Sequence, residues 1–65
     1  MMNYDDAHKA AQNMERMGGH FEKAIAKAFY FADGDNSRRL REAFPHIFEK
    51  NFRLWTEFEA QRSQA

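Results

Sequence analysis

The chain has no cysteine, one proline and three glycines in 65 residues. Without cysteine no disulfide can staple a small fold, and a thiolate zinc site is excluded. A chain of this length buries only about 60% of the surface its unfolded form exposes, so packing alone must hold it. Long apolar runs are missing as well. The longest, AFYFA at residues 28–32, falls far short of the roughly 18 residues that mark a membrane span. The opening MMNYDD lacks the basic start and apolar core of a signal peptide. These absences predict a single soluble domain over residues 1–65, suited to a reducing cytoplasm and not to a membrane. A charge of one sign is also lacking. Ten basic and ten acidic residues cancel, with four of each in residues 1–31 and six of each in residues 32–65. A neutral chain gives no general electrostatic reason to bind nucleic acid or an anionic surface.

Aromatic residues, in contrast, are plentiful: seven Phe, two Tyr and one Trp. Their spacing, with that of the aliphatic residues, predicts an all-α fold of three to four short helices over about 4–17, 20–32, 36–44 and 45–61. Asn3 is a good N-cap, and Asp5 and Asp6 suit the positive end of a first helix. Its apolar stripe of Tyr4, Ala7, Ala11 and Met14 is modest, so this reads as the least secure element. Two glycines inside a helix cost roughly 1 kcal/mol each relative to alanine. Gly18-Gly19 therefore reads most simply as a helix end with a glycine in the left-handed conformation; a kinked continuous helix is the alternative. Phe21, Ala24, Ile25, Ala28, Phe29 and Ala32 follow the spacing of one helical face and are expected to face the core. In the third helix Leu40, Ala43 and Phe44 read as inward, and Arg38, Arg39, Arg41 and Glu42 as outward. Pro45 fits the first position of a last helix, where its missing N–H is harmless. Ile47, Phe48, Phe52, Leu54, Trp55 and Phe58 then cover nearly half of that helix.

Chemical motifs are scarce. DGDNS at residues 33–37 starts like a calcium loop, with Asp33, Asp35 and Ser37 at positions 1, 3 and 5. Position 6, however, is Arg38 and position 12 is Phe44, where such a loop needs glycine and glutamate. The segment reads as a turn and helix cap, and no metal or cofactor is expected. His8, His20 and His46 lack convergent partners, and Gly18-Gly19 lacks the spacing of a phosphate-binding loop. No nucleophile motif is present, so the chain is not expected to be an enzyme. Arg38, Arg39, Arg41, Lys50 and Arg53 outnumber Glu42 and Glu49 locally, with Phe44, Phe48 and Phe52 interleaved. That arrangement gives an alternative function, a small nucleic-acid-binding protein.

The aromatic surplus carries the main expectation. Successive residues on a helix point about 100° apart, so Phe29, Tyr30 and Phe31 cannot share one neighbour. Phe29 belongs to the main stripe, Phe31 to its other flank, and Tyr30 lies almost opposite Phe21. Helices apolar on more than one side are usually buried from two directions, and a second copy can supply the second. The expected self-association or partner-binding residues are Phe29, Tyr30, Phe31, Leu54, Trp55 and Phe58.

GGHFEKAIAKAF, ADGDN and LREAFPHIFEK, spanning about Gly18 to Phe52, resemble segments of short bacteriophage and prophage proteins. Those proteins combine a Gly-Gly before an aromatic helix, an Ala-Asp-x-x-Asn turn and a Leu-x-x-Ala-Phe-Pro segment. The resemblance implies a phage accessory protein of an early gene region that acts on host physiology in the bacterial cytoplasm. It implies no catalytic residue. The combined expectation is a non-enzymatic helical homodimer that binds a host protein.

Overall fold

Asn3 opens the first helix, its Oδ1 accepting a 2.8 Å hydrogen bond from the Asp6 N–H. In the computed structural model, which describes residues 2–64, four helices and no strand are present among the described residues. Met1 and Ala65, included in the expected domain, lie outside the described residues. The helices are α1 (Tyr4–Met17), α2 (His20–Phe31), α3 (Gly34–Ala43) and α4 (Pro45–Gln64). None is long and apolar enough to cross a membrane. Asp33 caps α3 through a 2.8 Å bond from the Asn36 N–H to its Oδ1. Pro45 occupies the first position of α4, where proline costs no hydrogen bond. The all-α fold and its three breaks thus follow from caps and breakers that the sequence displays.

The first helix is not the marginal element its polarity suggested. Ala7, Ala10, Ala11 and Met14 are all fully buried, and α1 packs against both α2 and α4. Alanine loses no side-chain entropy on burial and keeps its helix thin, so two neighbours approach closely and supply the bulk. Phe29 of α2 and Phe48 of α4 do so, with ring centroids 5.7 Å apart, and Tyr4 stacks on Phe29 at 5.3 Å. Ile25 and Ala26 complete the core, against which Met2, Leu40, Phe44, Ile47 and Phe52 pack partly buried.

Gly18-Gly19 ends α1, but not through a left-handed residue. Gly18 has φ −79° and ψ 166°, and no glycine has a positive φ among the described residues. What Gly18 provides is room. A Cβ there would lie 2.6 Å from the Met14 carbonyl oxygen and 2.8 Å from the Glu22 Cβ, closer than van der Waals contact permits. Gly19 has open space around it.

That tight corner sets the rotation of α2 and overturns part of the expected core. Ile25, Ala26 and Phe29 face inward, whereas Phe21, Ala24 and Ala28 are exposed. Helical periodicity cannot choose between these two faces, because each repeats at three and four residues. A buried polar junction favours the observed one. Asn13 Nδ2 donates to Asn51 Oδ1 at 2.8 Å, and Asn51 Nδ2 donates to Glu22 Oε2 at 2.6 Å and to the Ile47 carbonyl at 2.9 Å. Lys50 adds an ion pair to Glu22 at 3.6 Å. The junction ties α1, α2 and α4 together, and it needs Glu22 turned inward. Further departures lie in α3: Ala43, expected inward, is exposed, and Ser37 is buried. Arg41, expected outward, is half-buried, donating to the Ser37 carbonyl at 3.3 Å and to the Met2 carbonyl at 3.0 Å.

Candidate functional site

With the inner face of α2 committed to α1, the outer face carries Phe21, Ala24, Ala28 and Phe31. These residues are spaced three, four and three apart, which keeps them on one stripe of the helix. Phe31 is 81% exposed and Phe21 61% exposed. Phe21 is supported from one side only, its ring lying edge-on to Phe44 at 5.7 Å. Alongside the stripe runs α3, and between the two helices lies an open groove of about 520 Å³. Its floor is apolar, formed by Ala28, Phe31, Leu40 and Ala43, and Asn36 and Arg39 supply its polar edge.

Large exposed aromatic side chains on one stripe are uncommon in a small soluble chain, and such patches mark interaction sites. Sequence reasoning placed Phe21, Ala24 and Ala28 in the core because they fit a helical stripe. The signal that marks them is Phe31 at the far end of the same stripe, completing a run with a phenylalanine at each end.

The three adjacent aromatics separate in space. Phe29 is fully buried in the core, so it supports a binding surface only from beneath. Tyr30 turns toward the start of α1, edge-on to His8 at 5.5 Å. Partial burial, with the Glu15 charge adding to it, raises the Tyr30 phenol above its ordinary pKa, because both disfavour the phenolate. Only Phe31 points into the groove beside α3.

The expected α4 residues lie in other places. Leu54 and Phe58 line a separate, smaller groove of about 210 Å³ that includes Met17. Trp55 lines a third depression with Tyr4 and His8. Trp55 and Phe58 each carry a cation from α1 over the ring: Lys9 Nζ lies 5.1 Å from the Trp55 ring centroid, and the Arg16 guanidinium 4.6 Å from that of Phe58, which stays 39% exposed. Such contacts are worth about 0.5–1 kcal/mol at exposed sites, and the alkyl stems shield the rings from water. The α2 and α4 aromatics therefore do not form one continuous surface.

The basic residues of the alternative reading are largely engaged within the chain. Arg38 bridges Asp35 at 2.7 Å and Glu42 at 3.0 Å, and Arg39 reaches Asp35 at 3.2 Å. Hydrogen bonds to Asp35 and then Glu42 raise the Arg38 pKa further. Arg41 is spent on two backbone carbonyls and Lys50 on Glu22. Arg41 and Arg53 have no ion pair among the described residues. The acidic turn is engaged as well, with Asp33 capping α3 and Asp35 held by the two arginines.

No family model, curated protein or solved structure matches the chain.

Proposed function

We propose that this chain is a non-enzymatic accessory protein that acts by binding protein, as a helical homodimer, through the outer face of α2 and its groove with α3. The observation that carries this reading is the exposure of Phe21 and Phe31 on a single stripe beside an apolar groove. Burying apolar surface yields about 25 cal/mol per Å², and a phenylalanine buries 150–250 Å². Leaving two such side chains in water forgoes several kcal/mol that a partner recovers. The groove offers Asn36 and Arg39 as its polar groups, and Arg39 is already paired with Asp35, which suits recognition better than acid–base chemistry.

The likeness of the Gly-Gly, Ala-Asp-x-x-Asn and Leu-x-x-Ala-Phe-Pro segments to short phage and prophage proteins supports a further partner among host proteins, met in the bacterial cytoplasm. The homodimer is tested by sedimentation equilibrium. A species of twice the 7.7 kDa chain mass at micromolar concentration is expected, and a 7.7 kDa species persisting at high micromolar concentration overturns the dimer.

A further inference from the structure

The outer stripe of α2 has a property that a surface for an unrelated partner does not require. Phe21, Ala24, Ala28 and Phe31 read large, small, small, large with spacings of three, four and three, so the stripe is the same in either direction along the helix. We propose that its occupant is a second copy of the chain, with the two α2 helices packed antiparallel about a twofold axis level with Ala26. This rests on the self-association reading above and specifies its interface.

In a twofold interface, if residue i meets residue j, then j meets i. An antiparallel pair centred at position 26 sets Ala24 against Ala28 of the second copy, twice. It also sets Phe21 against Phe31 of the second copy, again twice. The central alanines let the helix axes approach to about 8 Å. Each Phe31 then lies beside the Phe21–Phe44 pair of the other chain, and each Phe21 beside the groove lined by Leu40 and Ala43. Opposed helix dipoles favour the antiparallel arrangement over the parallel one.

The phenylalanine rings supply about half of the area that a specific interface needs. Four phenylalanine rings supply roughly 600 Å² if each buries about 150 Å². The alanines, Leu40 and the flanks of α2 and α3 extend this toward the roughly 1,200 Å² at which specific interfaces begin. A polar rim surrounds the apolar centre, with Lys23 and Lys27 on one side and Asn36 and Arg39 on the other, the anatomy expected of an interface.

The charges fix a sign. Lys23 and Lys27 have no ion pair among the described residues. In the antiparallel pair, both lysines from both copies line the same edge, so like charges face each other across the axis. Salt screens that repulsion and must tighten this dimer. Association driven by arginine–phosphate or arginine–carboxylate attraction would weaken instead.

The absence of native cysteine permits a direct test. Ala24→Cys and Ala28→Cys place single thiols at exposed positions of an otherwise intact chain. A disulfide forms readily where Cα atoms lie about 4.4–6.8 Å apart. Positions 24 and 28 of opposite chains meet that requirement, whereas either position and its own copy are offset by about 6 Å along the helix. The two variants mixed under mild oxidation should cross-link at least about tenfold faster than either alone. Lys27→Glu should tighten the dimer about fivefold at low salt, because its carboxylate lies on the same edge as Lys23 of the second copy, offset by only about 3 Å along the helix. Phe31→Asp should weaken it at least about thirtyfold.

Equal cross-linking of each variant with itself would overturn the antiparallel geometry. A chain that sediments as a dimer but cross-links at neither position would overturn the α2 interface and leave self-association standing. A chain that sediments as a monomer would overturn both.

Discussion

The two faces of α2 are built from the same kinds of residue and meet opposite fates. The inner face, Glu22, Ile25, Ala26 and Phe29, closes on α1 and α4. The outer face, Phe21, Ala24, Ala28 and Phe31, remains uncovered with the more exposed aromatics of the pair. Hydrophobicity does not decide between them, since the outer face has two phenylalanines and the inner face one. Two local devices decide: Gly18, whose missing side chain lets α2 turn tightly against the end of α1, and the Asn13–Asn51–Glu22 junction, which requires Glu22 inside. A polar contact thus selects which apolar face the fold buries and which it leaves exposed. The α4 aromatics sharpen the contrast, because Lys9 and Arg16 lie over Trp55 and Phe58 from within the chain.

The largest expected effect separates two phenylalanines two residues apart. Phe29→Ala removes a fully buried ring and should cost about 3–5 kcal/mol, enough to unfold so small a domain in thermal or chemical denaturation. Phe31→Ala should change the stability of the isolated chain by less than about 0.5 kcal/mol. Equal losses at both positions would erase the distinction between the faces.

Next in size is the junction. Asn51→Leu leaves the Asn13 amide and the Glu22 carboxylate without their shared partner and should cost about 2–3 kcal/mol in a urea titration. Adding Glu22→Leu should recover part of that loss, because the half-buried carboxylate that lost its Asn51 donor is then gone. A neutral Asn51→Leu would mean that the junction does not set the rotation of α2.

The corner comes third. Gly18→Ala forces a Cβ against the Met14 carbonyl and should cost about 1–3 kcal/mol. Gly19→Ala, in open space at an ordinary φ of −76°, should be neutral or stabilising by up to about 1 kcal/mol. Thermal melts of the two variants compare them directly. The smallest effect concerns the α4 aromatics: Arg16→Ala should cost about 0.5–1 kcal/mol, and a fluorescent apolar dye should gain binding near Phe58.

Much of this architecture was legible in the sequence. Asn3, Asp33 and Pro45 announce helix starts through side-chain chemistry that acts within one turn, so local reading finds them. The Gly18-Gly19 break was legible too, but its mechanism was not: the need for glycine comes from the Met14 carbonyl and Glu22 across the corner, a proximity only the folded chain creates. The rotation of α2 was hidden for the same reason, since Asn13 and Asn51 are 38 positions apart. The central role of α1 was missed because its burying residues are mostly alanines, which carry little hydrophobic signal and much packing advantage. Within the candidate site, Phe31 was recognisable as surplus to the core. Phe21, Ala24 and Ala28 were not, because an exposed apolar stripe on a helix has the same period as a buried one.

The central claim is that the outer face of α2, and not the aromatic face of α4, is the binding surface. Sedimentation equilibrium of the wild-type chain, Phe31→Ser and Phe58→Ser at one micromolar-range concentration tests it most directly. The account predicts a dimer for the wild type and for Phe58→Ser, and a folded 7.7 kDa monomer for Phe31→Ser. A Phe31→Ser chain that remains dimeric while Phe58→Ser dissociates would contradict it.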